Sequence, residues 1–233
     1  MMRHVRPLIV LVAVVVACQA VGWANGTSVP AAPSPSGSGA ARPVTPEEMA
    51  IVAYNSGISR RDRAAKAETQ ALKEKKDSDR AKNEKKAREE YEKALKDFEK
   101  AATLNPAMPQ AYNGMGFAYR KLSDYQKALE NYDKALQLAP KFPDAIEYRG
   151  EAYLALDRID DAKQAYLTLF AMDRKQADSL MAAMKDYVAK KKTNPSGVDA
   201  SALTAFESWI AERSGVAEQT KLMALNAKHG SWQ

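Results

Sequence analysis

Histidine and cysteine, the residues most used as nucleophile, general base and metal ligand, are scarce in this 233-residue chain. The histidines are His4 and His229, and the one cysteine is Cys18. His4 and Cys18 lie in an N-terminal stretch that reads as an export signal. The rest therefore lacks a His/Cys cluster with zinc spacing and a Ser–His or Cys–His pair for acyl transfer. Asp160-Asp161, Glu47-Glu48 and Glu89-Glu90 offer paired carboxylates. Neighbouring residues on a helix do not face each other, and acids in a first turn already stabilise the helix dipole. The "GMG" at 114–116 lacks the strand–turn–helix setting of a phosphate loop. No catalytic residue, metal or cofactor is expected, and the chain reads as a non-enzyme.

The elements that carry these residues come next. "MMRHVR" is a short basic start and "PLIVLVAVVVA" an apolar run too short to anchor stably across a bilayer, so residues 1–24 match a signal peptide. Two processing points compete. Gly22-Trp23-Ala24 suits a general signal peptidase and is preferred. Val15-Val16-Ala17-Cys18 resembles a lipobox, which would make Cys18 a lipidated N-terminus. Residues 25–45 are Pro, Gly, Ser and Ala, a composition that cannot repay the entropy of ordering, and read as a disordered linker. Net charge is +6, of which Arg3 and Arg6 supply two. The remaining charges are interspersed, as on a solvated helical surface.

Beyond the linker nearly everything reads as helix. Thr45-Pro46-Glu47-Glu48 is a helix start with a hydroxyl cap, Pro at the first position and early acids. The main breaks fall at Asn105-Pro106, Ala139-Pro140 and residues 192–197. Internal periodicity is strong. "KALKDFEKAATLNP" (93–106) returns as "KALENYDKALQLAP" (127–140), with Pro106 and Pro140 34 residues apart. Gly116 returns at Gly150, Tyr119 at Tyr153, Ala128 at Ala162 and Tyr132 at Tyr166. Small residues let two antiparallel helices approach, so Gly116 is expected to face Ala128 and Gly150 to face Ala162, with Tyr119 and Tyr132 filling the adjoining space.

On these residues the chain resembles the tetratricopeptide repeat family. Residues 109–142 carry Tyr112, Met115, Gly116, Tyr119, Ala128, Tyr132, Ala135 and Pro140 of its motif. Residues 143–176 carry Ile146, Gly150, Tyr153, Ala162 and Tyr166, and depart from it at Arg149, Leu169 and Arg174. The resemblance implies an all-α, right-handed superhelix of antiparallel helix hairpins with a concave peptide-binding groove. In that family the first helix of each pair faces the ligand. The implied groove residues are Asn113, Phe117, Arg120 and Lys121, then Asp144, Glu147, Glu151 and Leu154: basic and aromatic at one end, acidic at the other. Some members grip a C-terminal carboxylate with Lys and Asn. Gly114, Asp144 and Tyr148 hold three of those places here, so that mode is not expected.

Residues 46–106 read as a first, degenerate repeat with both helices extended. Gly57 lies 49 residues before Pro106, whereas Gly116 lies 24 before Pro140. The excess adds about 12 residues, or ~18 Å, to each helix. The turn is placed near Asp77-Ser78-Asp79. Ala64, Ala65, Ala71 and Leu72 are expected to pack on Ala81, Ala87 and Tyr91, beneath a charged, mobile and self-paired tip. Residues 107–174 form two repeats and 175–215 capping helices, with Leu180, Ala183, Met184 and Tyr187, then Leu203, Phe206, Trp209 and Ile210, as core; Asp199 caps the last helix. Residues 216–233 are assigned no structure.

The function expected is a non-enzymatic scaffold or adaptor in the cell envelope whose partner is another protein. Export argues against nucleic acid, and membrane contact is expected only through a lipid on Cys18. The alternatives are a spacer with no dedicated ligand, and an adaptor that binds an anionic envelope polymer through residues 73–86.

Overall fold

A computed structural model describes residues 42–230, with side chains through 227. The expected signal, Cys18 and residues 25–41 of the expected linker lie outside the described residues. Among the described residues eight helices follow one another: α1 (Pro46–Lys73), α2 (Asp77–Leu104), α3 (Pro109–Lys121), α4 (Tyr125–Leu138), α5 (Pro143–Ala155), α6 (Ile159–Met172), α7 (Arg174–Thr193) and α8 (Ala200–Gly230). Local chemistry sets their ends. Thr45 and Glu48 form a reciprocal capping box ahead of α1, and Pro109 and Pro143 open α3 and α5. Asp124, Asp173 and Asp199 accept from backbone N–H groups at the starts of α4, α7 and α8. Ser123 and Asp157, 34 residues apart, turn the α3–α4 and α5–α6 hairpins with φ of 67° and 57°.

The helices pair in sequence, and each pair packs on the next. The first helices α1, α3, α5 and α7 also touch one another in succession. The second helices α2, α4 and α6 are held apart by the first helix of the following pair. Such a stack curves toward the layer whose members touch, so the first helices form the inner side.

The first hairpin is two helices of 28 residues joined by Glu74-Lys75-Lys76, against 13 and 14 residues in α3 and α4. The turn falls just before the place expected, because Asp77 and Asp79 serve as the acidic first turn of α2. The buried stripe of α1 is Ala50, Ala53, Gly57, Ala64, Ala67 and Ala71. It meets Ala87, Tyr91, Ala94, Phe98 and Ala101 of α2. Ala65, Leu72 and Ala81, expected inside, are exposed, Leu72 by 79%. They stand one step round the helix from a stripe with alternating three- and four-residue spacing. Arg60 to Asp97 (2.6 Å) and Arg63 to Glu90 (2.7 Å) bridge the two helices.

The glycines make closer contacts than expected, with different partners. A Cβ on Gly116 would lie 2.6 Å from the Tyr132 ring rather than against Ala128, and one on Gly57 would lie 2.5 Å from Phe98. Both are the same contact between the glycine of a first helix and the aromatic of a second. In the long hairpin 25 further residues separate the pair, and the geometry is kept by lengthening both helices. Gly150 instead lies against Leu180 and Ala165. Leu169, where alanine is usual, is fully buried. Arg149 pairs with Asp133 (2.6 Å) and Arg174 stacks over Phe170 (3.3 Å), so each departure from the motif has its own contact. At the far end Leu180, Met184 and Tyr187 of α7 pack with Leu203, Phe206 and Ile210 of α8, and Trp209 lies against them. α8 does not stop at Gly215. It runs on to Gly230 through the segment assigned no structure, since a single glycine weakens a helix by only ~1 kcal/mol.

Candidate functional site

The inner layer carries all eight sequence-predicted groove residues on α3 and α5, but not as an open row. Phe117 is 5% exposed, Glu147 4% and Leu154 4%. Leu154 belongs to the core with Tyr166 and Leu180. Phe117 lies between Tyr91 of α2, with ring centres 6.1 Å apart, and Tyr148 of α5, at 5.2 Å edge-on. What the sequence presents as a ligand-facing aromatic is therefore a ring that glues three hairpins together.

Cations cover this aromatic row. The Arg120 guanidinium stands 5.2 Å from the centres of both Phe117 and Tyr148, Arg61 lies 5.7 Å from Phe117, and Lys121 Nζ lies 5.8 Å from Tyr91. Arg120 also donates to the Tyr132 hydroxyl (3.4 Å) and pairs with Glu151 of α5. Lys121 pairs with Glu68 of α1 at 2.7 Å. The basic and acidic ends expected of the groove are thus in direct contact and neutralise each other across adjacent first helices. Burial by itself pulls the Arg120 guanidinium pKa down. The Glu151 carboxylate and Tyr132 override it and hold the guanidinium firmly charged.

Three acids share one face of α5. Asp144, at its first turn, accepts from Gln176 Nε2 of α7; burial still raises its carboxyl above the ordinary value, and Asp173 adds to the effect. Glu151 holds Arg120. Glu147 is buried between them and receives no hydrogen bond from an N–H among the described residues. Burial first, and the Glu151 carboxylate second, push its carboxyl well above the usual carboxylate range, against the pull of Arg120. Between the unfolded and the folded pKa, the folded protein thus holds a proton here that the unfolded chain has released. Stability attributable to Glu147 is greatest below the ordinary carboxylate pKa and falls as pH rises through the folded value. Glu147→Gln should therefore raise the melting temperature above that of the wild type at pH 8, with the gain vanishing near pH ~4. A difference in melting temperature independent of pH would contradict this.

Asn113 stands on the inner face of α3. Its side-chain oxygen is buried and accepts no hydrogen bond. A buried acceptor left without a donor is costly and uncommon. Arg61, Glu68 and Tyr91 were not among the sequence-predicted groove residues. Arg61 was within reach, since it follows Gly57 by four residues as Arg120 follows Gly116. Glu68 and Tyr91 depend on how far the extended hairpin overlaps α3, and no spacing in the sequence states that.

The paired acids are otherwise employed. Asp160 pairs with Lys163, Asp161 with Arg158, and Glu90 with Arg63 and Lys93. A cavity of about 390 Å³ lies beside Asp157, Asp160, Asp161 and Asp199. Asp157 accepts there from the Tyr187 hydroxyl (2.8 Å) and Lys191 (2.7 Å), while Asp199 caps α8. The hairpin tip differs from its expected self-pairing. Among the described residues the ion pair within 73–86 is Arg80 with Asp77, and Lys73, Lys75, Lys76, Lys82, Lys85 and Lys86 are exposed without one.

Comparison with known proteins adds the following. A family model described as tetratricopeptide repeat matches residues 109–142, and a second, described as TPR repeat, matches residues 83–123. No curated protein matches the chain. Among solved structures, the Arabidopsis OM64 TPR domain is 20% identical, covering 58% of this chain and 96% of that one with a TM-score of 0.40. The second TPR domain of human RPAP3, in complex with an HSP70 peptide, is 21% identical, covering 57% and 98% with a TM-score of 0.40. The first TPR domain of human RPAP3 is 18% identical, covering 60% and 98% with a TM-score of 0.42. Residues 83–142 of this chain thus match the tetratricopeptide repeat.

Proposed function

We propose that this protein is a non-enzymatic interaction scaffold whose inner helix layer binds an extended segment of another protein, and that it works outside the cytoplasm. Asn113 carries the reading. A buried acceptor without a donor, on the face where three first helices meet, suits a backbone or side-chain N–H of an incoming chain. Two turns further along α3, the half-buried pairs Arg120–Glu151 and Lys121–Glu68 offer both signs of charge for exchange. The support for export, to the periplasm or on a lipid at Cys18, is the sequence of residues 1–24.

Peptides selected from a random display library against the wild type provide the test. Asn113→Ala should weaken their binding about tenfold, as loss of one buried hydrogen bond requires, while the melting temperature of the free protein holds or rises because the unpaired acceptor is gone. Selected peptides that bind the variant equally well would remove the inner face as the site. The unpaired lysines of the hairpin tip favour one other reading, an anionic envelope polymer. Polymer binding that collapses with added salt, in the absence of any selected peptide, would put that reading first.

A further inference from the structure

The far half of α8 has an unused face. The helix is anchored through Leu203, Phe206 and Ile210, and every residue from Lys221 to Ala227 is exposed. Leu222 and Leu225 are 58% and 47% exposed. Three residues apart, they share one side of the helix, and Gly215 and Glu218 continue that side toward the body. The helix is intact at Gly215, and a Cβ added there would meet nothing within 4 Å.

The spacing along this side is three, four, three: 215, 218, 222, 225. It reads the same in both directions. A second copy running antiparallel about a two-fold axis near residue 220 therefore places Gly215 opposite Leu225 and Glu218 opposite Leu222. The small Gly215 then meets the large Leu225, while Glu218 lies beside Leu222 with its carboxylate free to reach along the seam. Between Ser214 and Ala227 the charged residues are Glu218 and Lys221, and neither makes an ion pair among the described residues. In the antiparallel arrangement each Glu218 comes within one residue of register with Lys221 of the other copy, so the pair forms twice and each charge is answered once. A parallel pair would set Glu218 against Glu218 and leave a gap between two glycines.

We propose that residues 214–227 are a self-association element through which two copies pair antiparallel, using Gly215, Glu218, Lys221, Leu222 and Leu225. A two-fold interface must be self-complementary, and this stripe is. About four helical turns, or ~21 Å, form a small contact. The dimer is accordingly weak, with Kd on the order of 10–100 µM, at the low end of specific interfaces.

Sedimentation equilibrium of the full chain from about 5 to about 500 µM should show a monomer passing into a dimer. Leu225→Glu should keep it monomeric throughout. Glu218→Lys and Lys221→Glu should each weaken association at least about fivefold, and the double reversal should restore it, as expected for a direct charge pair. These positions are exposed, so helicity by circular dichroism should be unchanged. A monomer at every concentration, or single reversals without effect, would overturn the proposal. So would a monomer that binds anionic phosphatidylglycerol vesicles and is released by Leu225→Glu, since a membrane would then be what covers this face.

Discussion

Phe98→Ala is expected to be the most damaging truncation in the molecule, costing about 3–5 kcal/mol in urea denaturation. The side chain is fully buried. Its Cδ1–Cε1 edge enters the space between α1 and α3, and a Cβ on either Gly57 or Gly114 would stand within 2.9 Å of that edge. Tyr54 packs 5.7 Å away, centre to centre. Alanine would leave a void walled largely by helix backbone. The helices are braced by Ser56 and Arg60 on Asp97 and cannot readily close on it. A loss under about 1 kcal/mol would mean that α1 slides inward and that the ring does not set the spacing of the first two hairpins.

The second large effect concerns a gain of one carbon. Gly116→Ala should destabilise by about 1–3 kcal/mol, although alanine favours helix over glycine by about 1 kcal/mol. The added Cβ would lie 2.6 Å from Tyr132 Cε1. The ring is fully buried and its hydroxyl is bonded to Arg120, which is itself held by Glu151, so retreat breaks a chain of contacts. Gly215→Ala in α8 supplies the control. In the dilute monomer the space there is open, and the same substitution should stabilise by roughly 0.5–1 kcal/mol. If both variants shift stability in the same direction, helix propensity and not packing governs these glycines.

These two positions also show where the sequence was informative. Spacing alone located the hairpins: Pro106 and Pro140 mark the repeat, and the distance from Gly57 to Pro106 gave the first hairpin its extra length. Periodicity says that a residue lies on a given helix face. It does not say what the neighbouring helix places against that face. Phe117 occupies a ligand-facing position by its place in the motif, yet Tyr91 reaches it from a helix whose overhang no motif encodes. Glu151 and Arg120 looked like opposite ends of a surface, but adjacent repeats bring them together. At the tip, Asp77 and Asp79 suited a turn and a helix start equally, and the helix dipole took them. Gly215 looked like a stop, but one glycine costs a helix only about 1 kcal/mol and α8 runs through it.

The order in which the helices touch has a kinetic meaning. Among the described residues the main packing of each helix is on its neighbour or the next but one along the chain. No contact has to wait for distant ends of the chain to find each other, so the search is short and folding should be rapid for the size of the protein. The same wiring means that no helix locks the two ends together. The outermost helix pairs can open and close with the middle still formed, and amide exchange should grade from slow in α3 to α6 to fast toward the ends of the stack. The centre of this protein then acts as its template, on which the long hairpin and the last helix assemble.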